Sequence, residues 1–403
     1  SCAVKLFSQN QQRNQTMQTI DNTQDLGLLC QRLAKHPYIT VDLEFIREKT
    51  YFPLLCLIQV ASEEETAIID PLAEGIDLQS FFALMQNRDV TKVFHSCRQD
   101  VEIIFELSGI IPQPLFDTQV AAMVCGFGES ISYERLVKAV LGIELDKTDR
   151  LSNWQLRPLD EHQLEYAAGD VTHLLKIYRH LKEQMTAGNR LHWIDEEMEI
   201  LSRGTTYVAP PEDAWLKIRH RSHNARVLSA LKALAAWREC RAREKNVPRQ
   251  SILKDDFLVM IATACPKNKE ELMQIRGMRK DVASGRLADE MLDVLEHMNV
   301  DGKLAKQLKN ENINAVPALY ELLKMLLKIV SQREGVVSRL IAGDTALQKL
   351  AAYKDKDNPA LCSWRYEIFG SEALKLRNGE LSIRYNPEQK DIEFTDVNRE
   401  TPA

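Results

Sequence analysis

The sequence predicts a mixed α/β domain, a sheet with helices on both faces, followed by two all-helical units. Three observations carry that reading. Strand signals with period-two alternation crowd the first part of the 403-residue chain. They then give way to alternating strands and helices, which implies a mixed sheet flanked by helices. From Asp195 the strand signals stop, and helical periodicity continues to about Leu381. A chain of this length calls for two or three domains.

Composition removes several classes. No stretch approaches the ~20 apolar residues of a membrane span, so no membrane partner is expected. Residues 1–16 are polar and rich in Gln and Asn; they read as a disordered extension upstream of Met17, without the apolar run of a secretory signal. Of the eight cysteines, Cys30, Cys56, Cys125 and Cys265 stand isolated in apolar surroundings, and no pair has Cys-x-x-Cys spacing. That argues against zinc and against a disulfide framework, and for a reducing cytoplasm. A net charge of −6 neither advertises nor excludes nucleic acid.

In chain order, Met17 to Leu33 reads as a lead-in strand and a helix, with Asp21, Asn22 or Thr23 as cap. Lys35-His36-Pro37 turns into the strand Tyr38 to Phe45. Leu54 to Val60 and Thr66 to Asp70 complete an antiparallel meander. A helix around Leu78 to Met85, a strand Lys92 to His95 and a helix from near Gln99 through Phe105 come next. Helices then span Thr118 to Cys125, Tyr133 to Val140 and Glu161 to Lys182, the last opened by an Asp160/Gln163 capping box. Gly204 to Pro211 reads as a linker. Helix is expected from Trp215 to about Met298 and, after a turn at Asp301-Gly302, on to about Leu381, before a polar tail. Two helical units of similar length, each with a Trp, suggest a diverged repeat.

The chemistry starts at Asp42 and Glu44. Alternation places both on one face of a strand whose Val41, Leu43 and Phe45 face the other way. Paired carboxylates on a buried strand stay ionised when a cation lies between them, commonly a divalent one. A wet edge strand explains Asp-x-Glu equally well. Asp100 sits in the first turn of a helix after a strand, where complementing the helix dipole is a sufficient role. Tyr166 and Asp170 share one helix face at i and i+4. His95 reads as a hydrogen-bonded structural histidine, and Asp117 as the cap of the next helix.

Asp42, Glu44, Asp100 and Asp170, with Tyr166 one turn before the last, resemble the DEDD exonucleases of the ribonuclease H-like fold, in their tyrosine subgroup. Val41 to Phe45, Leu57-Ile58-Gln59, Ile69-Asp70-Pro71, His95 with Asp100, Phe116 to Gln119, Tyr166 to Val171, and Trp154 with Arg157-Pro158-Leu159 resemble ribonuclease D over Met17 to about Lys182. His95 stands where many members of the superfamily have Asn. The resemblance implies a metal-dependent 3′→5′ exoribonuclease that releases nucleoside 5′-monophosphates through two divalent metal ions, Mg²⁺ or Mn²⁺. It assigns Asp42 as the bridging ligand, Glu44 and Asp170 to the ion that activates water, Asp100 to the other, and Tyr166 to orienting the water. Leu43, Gln59, His95 and Arg98 are candidate substrate contacts; surface or sheet packing explains Gln59 and Arg98 as well. RNA is the expected partner, especially tRNA precursors with 3′ trailers, acted on by a monomer. A DNA exonuclease and a non-catalytic RNA-binding protein on the same scaffold are the alternatives.

In the helical half, Lys217 to Arg249 carries ten basic residues against Glu239 and Glu244. They read as solvated faces, with phosphate contact as the sharper alternative. Trp237-Arg238, Arg241 to Glu244 and Leu272 to Met278 resemble the HRDC domain, and Trp364-Arg365 with Glu372-Ala373-Leu374 resemble a second, diverged one. The expected organisation is a catalytic domain over 17–200, a linker over 201–212, HRDC-type domains over 213–298 and 299–383, and a tail over 384–403.

Overall fold

The computed structural model describes residues 16–146, 152–304 and 313–397; the expected extension falls outside them up to residue 15. Six strands form one sheet: β1 (Thr16–Ile20), β2 (Tyr38–Ile46), β3 (Leu54–Ala61), β4 (Glu65–Ile69), β5 (Thr91–Phe94) and β6 (Leu115–Asp117), in the order β1-β4-β3-β2-β5-β6. The pairs β2–β3 and β3–β4 are antiparallel, as the meander requires. The pairs β1–β4, β2–β5 and β5–β6 are parallel, so the sheet is mixed. Strand β6 was not expected; three residues after a proline carry too little alternation to be read.

Period-two alternation sorts the two faces. Val41, Leu43, Ile58 and Val60 enter a core with α1 (Thr23–Leu33), α2 (Gln79–Gln86) and α3 (Arg98–Ser108). Asn22 caps α1, accepting from the Asp25 amide. The opposite face lies under the long helix α6 (Glu161–Ala187), whose capping box forms as expected. Ala61 packs there on Val171 and Leu175, and the Thr40 hydroxyl donates to the Val171 carbonyl at 2.9 Å. Thr40 is in phase with Asp42 and Glu44, so these acids also face α6. Helices α4 (Thr118–Val124), α5 (Tyr133–Leu141) and α7 (Asp195–Leu201) complete this half.

The two helical units attach differently. The first comprises α8 (Ala225–Lys245), α9 (Arg249–Ile252), α10 (Asp255–Ala264), α11 (Lys269–Met273), α12 (Lys280–Ser284) and α13 (Arg286–His297), around its own core of Leu231, Leu234, Leu258, Ile261, Leu272 and Met291. The residues before α8, 218–224, are not helical. This unit grips the loop after β2. The Asn246 side chain accepts from the amides of Tyr51 (3.1 Å) and Phe52 (3.0 Å). The Tyr51 hydroxyl donates to Glu239 and accepts from Arg243 at 2.9 Å. Arg249 also pairs with Glu239, which is 2 % exposed.

The second unit includes α14 (Pro317–Glu334), α15 (Ser338–Ile341) and α16 (Asp344–Ala351) and shares one continuous core with α4, α5 and α6 of the sheet domain. Trp193 and Trp364 stack across it, with centroids 4.4 Å apart and planes at 8°. Gly126 sits at φ +79°, and a Cβ there would lie 2.5 Å from the Gly335 carbonyl, so glycine allows this contact. The Val337 amide donates to the Met123 carbonyl at 3.1 Å, and the buried Arg365 reaches Glu196.

A repeat is visible in the connections. In each unit a long helix ends in a left-handed residue, Asn246 or Gly335, and a four-residue helix and then a further helix follow at the same spacing. The Trp-Arg pairs are not equivalent, however: Trp237-Arg238 lies in the first long helix and Trp364-Arg365 near the end. The basic run also departs from the reading of solvated faces. Arg238 is buried on the Leu253 carbonyl (2.7 Å), Arg241 pairs with Glu244 (2.8 Å), and Arg243 and Arg249 serve the Tyr51 cluster. Within the polar tail, Leu381–Asn386 and Asp391–Asp396 pair as an antiparallel hairpin, with Ile383 and Phe394 on the shared core.

Two outcomes follow from these interfaces. Trp364→Ala removes the stacked ring from the shared core and is expected to cost about 3–5 kcal/mol. Denaturant unfolding followed by fluorescence and by nuclease activity should move together; activity that keeps its wild-type midpoint contradicts a shared core. Glu239→Ala leaves Arg243 and Arg249 without their buried carboxylate and is expected to cost about 3–5 kcal/mol. Hydrogen exchange should rise in α8 and the Tyr51 loop while α6 stays protected.

Candidate active site

Strand β2 lies inside the sheet, between β3 and β5, and its pairing with β3 shifts register between Glu44 and Phe45. The shift is a local irregularity of the kind that re-aims side chains beside functional sites. Helix α6 crosses this face and brings Asp170 down onto β2. One ligand atom each from Asp42, Glu44 and Asp170 lies within 4.8 Å of the others. These carboxyls sit in a cavity of about 450 Å³, lined also by Tyr166, His95, Ser96, Gln119, Ser132 and Tyr133. Among the described lining residues there is no Lys or Arg.

With no Lys or Arg among the described lining residues, burial shifts these acids toward their protonated forms. Loss of solvent raises Asp42 to about 7 and Glu44 to about 9, with the Asp42 charge adding to the second shift. Asp170 is raised well above the ordinary carboxylate range by burial, then by Asp42 and Glu44. Asp100 is 7 % exposed in the first turn of α3. It stands outside the three-acid cluster, yet burial and then the charges of Asp42, Glu44 and Asp117 raise it too. The Tyr166 phenol is raised by burial and then by Asp170, and its ring lies 6.1 Å from Trp154. Trp154 is carried by a loop that Arg157 anchors, donating to Asp70 at 2.6 and 2.7 Å and to the Cys56 carbonyl at 2.7 Å.

Asp117 behaves as the cap it was expected to be. It accepts from the Gln119 amide at 2.7 Å to start α4, and from the amides of Ser96 (3.0 Å) and Cys97 (2.9 Å) to hold the entry to α3. Ser96 takes φ 60° to make that turn.

The four candidate substrate contacts separate. Leu43 lines the cavity but is 4 % exposed, and its side chain packs in the core of the opposite face. Gln59 pairs with Asp42 across β2–β3 and is wholly buried, so a substrate cannot touch it; its amide atoms have no partner among the described residues. His95 lines the cavity, but one ring nitrogen is engaged by Thr118 Oγ1 (2.9 Å) and the other by the Ile131 carbonyl (3.1 Å). Arg98 is exposed at the start of α3 and does not line the cavity. Tyr133, Glu134 and Gln119 do line it, and sequence reasoning missed them. Tyr133 reaches across to the backbone of Gly169 and Asp170, a contact that sequence spacing does not show.

The donor set fits divalent cations: carboxylate oxygens only, converging from a strand and a helix, and unable to ionise together unless a cation compensates them. Residues 17–186 match a family model described as 3'-5' exonuclease, and residues 227–295 match the HRDC domain. A ribonuclease D of Bartonella henselae is 42% identical over 374 residues, 92% of this chain and 92% of that protein. Another, from Sphingobium indicum, is 45% identical over 373 residues, 90% of this chain and 95% of that protein. The crystal structure of Escherichia coli RNase D, described as an exoribonuclease involved in structured RNA processing, matches with a TM-score of 0.74 at 29% identity, over 90% of this chain and 99% of that one. Two matched domains in the expected order, and relatives similar along nearly their whole length, place the chain in the ribonuclease D family of 3′→5′ exoribonucleases.

Proposed function

We propose that this exoribonuclease uses two divalent cations, Mg²⁺ or Mn²⁺, and trims the 3′ trailers of tRNA precursors, working as a cytoplasmic monomer. The observation that carries the metal reading is the convergence of Asp42, Glu44 and Asp170 in a cavity without a described basic residue. Asp42, central in the set, would serve both ions; Glu44 and Asp170 would hold one with it, and Asp100 would support the second from α3. Two such ions supply the charge that stabilises in-line displacement at phosphorus. Tyr166 stays protonated beside Asp170, so its hydroxyl is available to orient the attacking water. Trp154 backs the Tyr166 ring and keeps it aimed into the cavity.

The proposed domains are 17–200 for catalysis, joined through 201–212 to HRDC-type units over 213–298 and 299–383. Within the basic run Lys217 to Arg249, the residues exposed to meet RNA phosphates are Lys217, Arg219, Arg221, Arg226 and Lys245. The arginines absorbed by Tyr51 and Glu239 are excluded from that role.

A 5′-labelled RNA with a single-stranded 3′ tail should shorten as a ladder from its 3′ end with Mg²⁺ or Mn²⁺, and stay intact with EDTA or with Asp42→Asn. Trimming without metal would refute the metal reading. Equal trimming of the matching DNA would widen the substrate class.

The raised acids give a signed dependence on pH. A carboxyl whose folded pKa lies above its unfolded value binds extra protons in the folded state, so stability falls as pH rises between the two. For the metal-free protein that window runs from the ordinary carboxylate range up to about 7 for Asp42 and about 9 for Glu44. At pH 8 without metal, Asp42→Asn should therefore melt higher than wild type, by about 2–4 °C for each kcal/mol of relieved repulsion, though inactive. Near pH 4 the gain should vanish, because the wild-type carboxyl is already neutral in the fold. Differential scanning calorimetry at both pH values checks the sign.

A further inference from the structure

We propose that Tyr133 is a positioning residue for the catalytic helix: its hydroxyl fixes where α6 presents Asp170 to β2. Tyr133 opens α5 and lines the cavity, but its hydroxyl turns to the backbone of α6. It donates to the Asp170 carbonyl at 2.7 Å and faces the Gly169 carbonyl at 3.1 Å. These are the carbonyls of the acid itself and of the residue before it.

The other end of the contact is anchored in the sheet domain. The Tyr133 ring lies 5.5 Å from His95, at the end of β5. His95 engages the Ile131 carbonyl, two residues before Tyr133, and Gln119 donates to the same carbonyl at 3.1 Å. A path of direct contacts thus runs from β5 through His95 and Tyr133 to the backbone of Asp170. It explains why a histidine with both nitrogens occupied stands at the cavity wall.

Gly169 gives the anchor its purpose. Glycine inside a helix costs about 1 kcal/mol relative to Ala, because its backbone loses the most conformational freedom on folding. Space does not require it: a Cβ there would meet only the His173 ring, at 3.6–3.7 Å, an ordinary contact. His173 also engages the Gly169 carbonyl at 2.8 Å. An outside restraint on the turn that carries a site acid matters, because supporting contacts govern how well a carboxylate holds a metal.

This inference rests on the divalent-cation reading above, and the experiment separates the two. Mn²⁺ binding is measured by calorimetry without RNA, and kcat and KM are measured on a single-stranded RNA, for wild type, Tyr133→Phe and Tyr178→Phe. Tyr178 lies two turns further along α6, outside the cavity lining, with its hydroxyl on Lys182 at 3.0 Å. For Tyr133→Phe we expect Mn²⁺ affinity and kcat each to fall about tenfold, KM for RNA to hold, and excess Mn²⁺ to restore part of kcat. Tyr178→Phe should match wild type throughout. Wild-type Mn²⁺ affinity and kcat in Tyr133→Phe overturn the proposal, as does an equal loss in Tyr178→Phe. A wild-type protein that binds no Mn²⁺ overturns the cation reading and this one together.

Discussion

The structure is organised around a repulsion. Asp42 and Glu44 extend from one face of β2, and α6 lowers Asp170 onto them while α3 holds Asp100 behind. Nothing basic among the described lining residues offsets the charge, so the protein alone keeps these acids neutral at a pH where an exposed carboxyl is ionised. A fold holds such a set only if the elements carrying it are fixed from elsewhere. Helix α6 is fixed by its capping box, by Val171, Leu174 and Leu175 against the sheet domain, and by the Thr40 hydroxyl on its backbone. The Asp117 carboxylate fixes the entry to α3 by taking two of the amides there.

Support for that face extends beyond the sheet domain. The C-terminal helical unit shares a core with α4, α5 and α6, so it belongs to the scaffold of the site although it is the more distant unit in sequence. The HRDC unit keeps its own core and holds the rest through the loop after β2. That loop leaves the strand only a few residues after Glu44. Both helical units thus bear on elements carrying site acids, one through the packing around α6 and the other through the end of β2.

Much of this was legible in sequence. The meander, the capping box of α6 and the shared face of Asp42 and Glu44 follow from periodicity and cap chemistry, which are local. The role of Asp117 was legible for the same reason: a cap is a contact between near neighbours. Contacts set by tertiary structure were not. Gln59 reads as a polar residue free to face substrate, yet its cross-strand position under α6 buries it. The basic run around α8 reads as solvated faces or a phosphate contact, and neither reading shows that Tyr51 arrives from another domain to engage Glu239, Arg243 and Arg249. The closing hairpin was hidden because its alternation is interrupted by charge, and its apolar side acquires meaning only against a core built by other elements.

The fate of those arginines bears on how a chain of net charge −6 handles a polyanion. Arg157, Arg238, Arg249 and Arg365 each spend their planar donors on carbonyls or carboxylates inside the protein, a use that suits guanidinium better than ammonium. Lys217, Arg219, Arg221, Arg226 and Lys245 of the basic run stay exposed instead. At the cavity itself, no Lys or Arg among the described lining residues attracts a phosphate. On the two-cation reading the cavity gains positive charge only when cations are held there. Attraction for the 3′ end and the capacity to cleave it then arise in the same event.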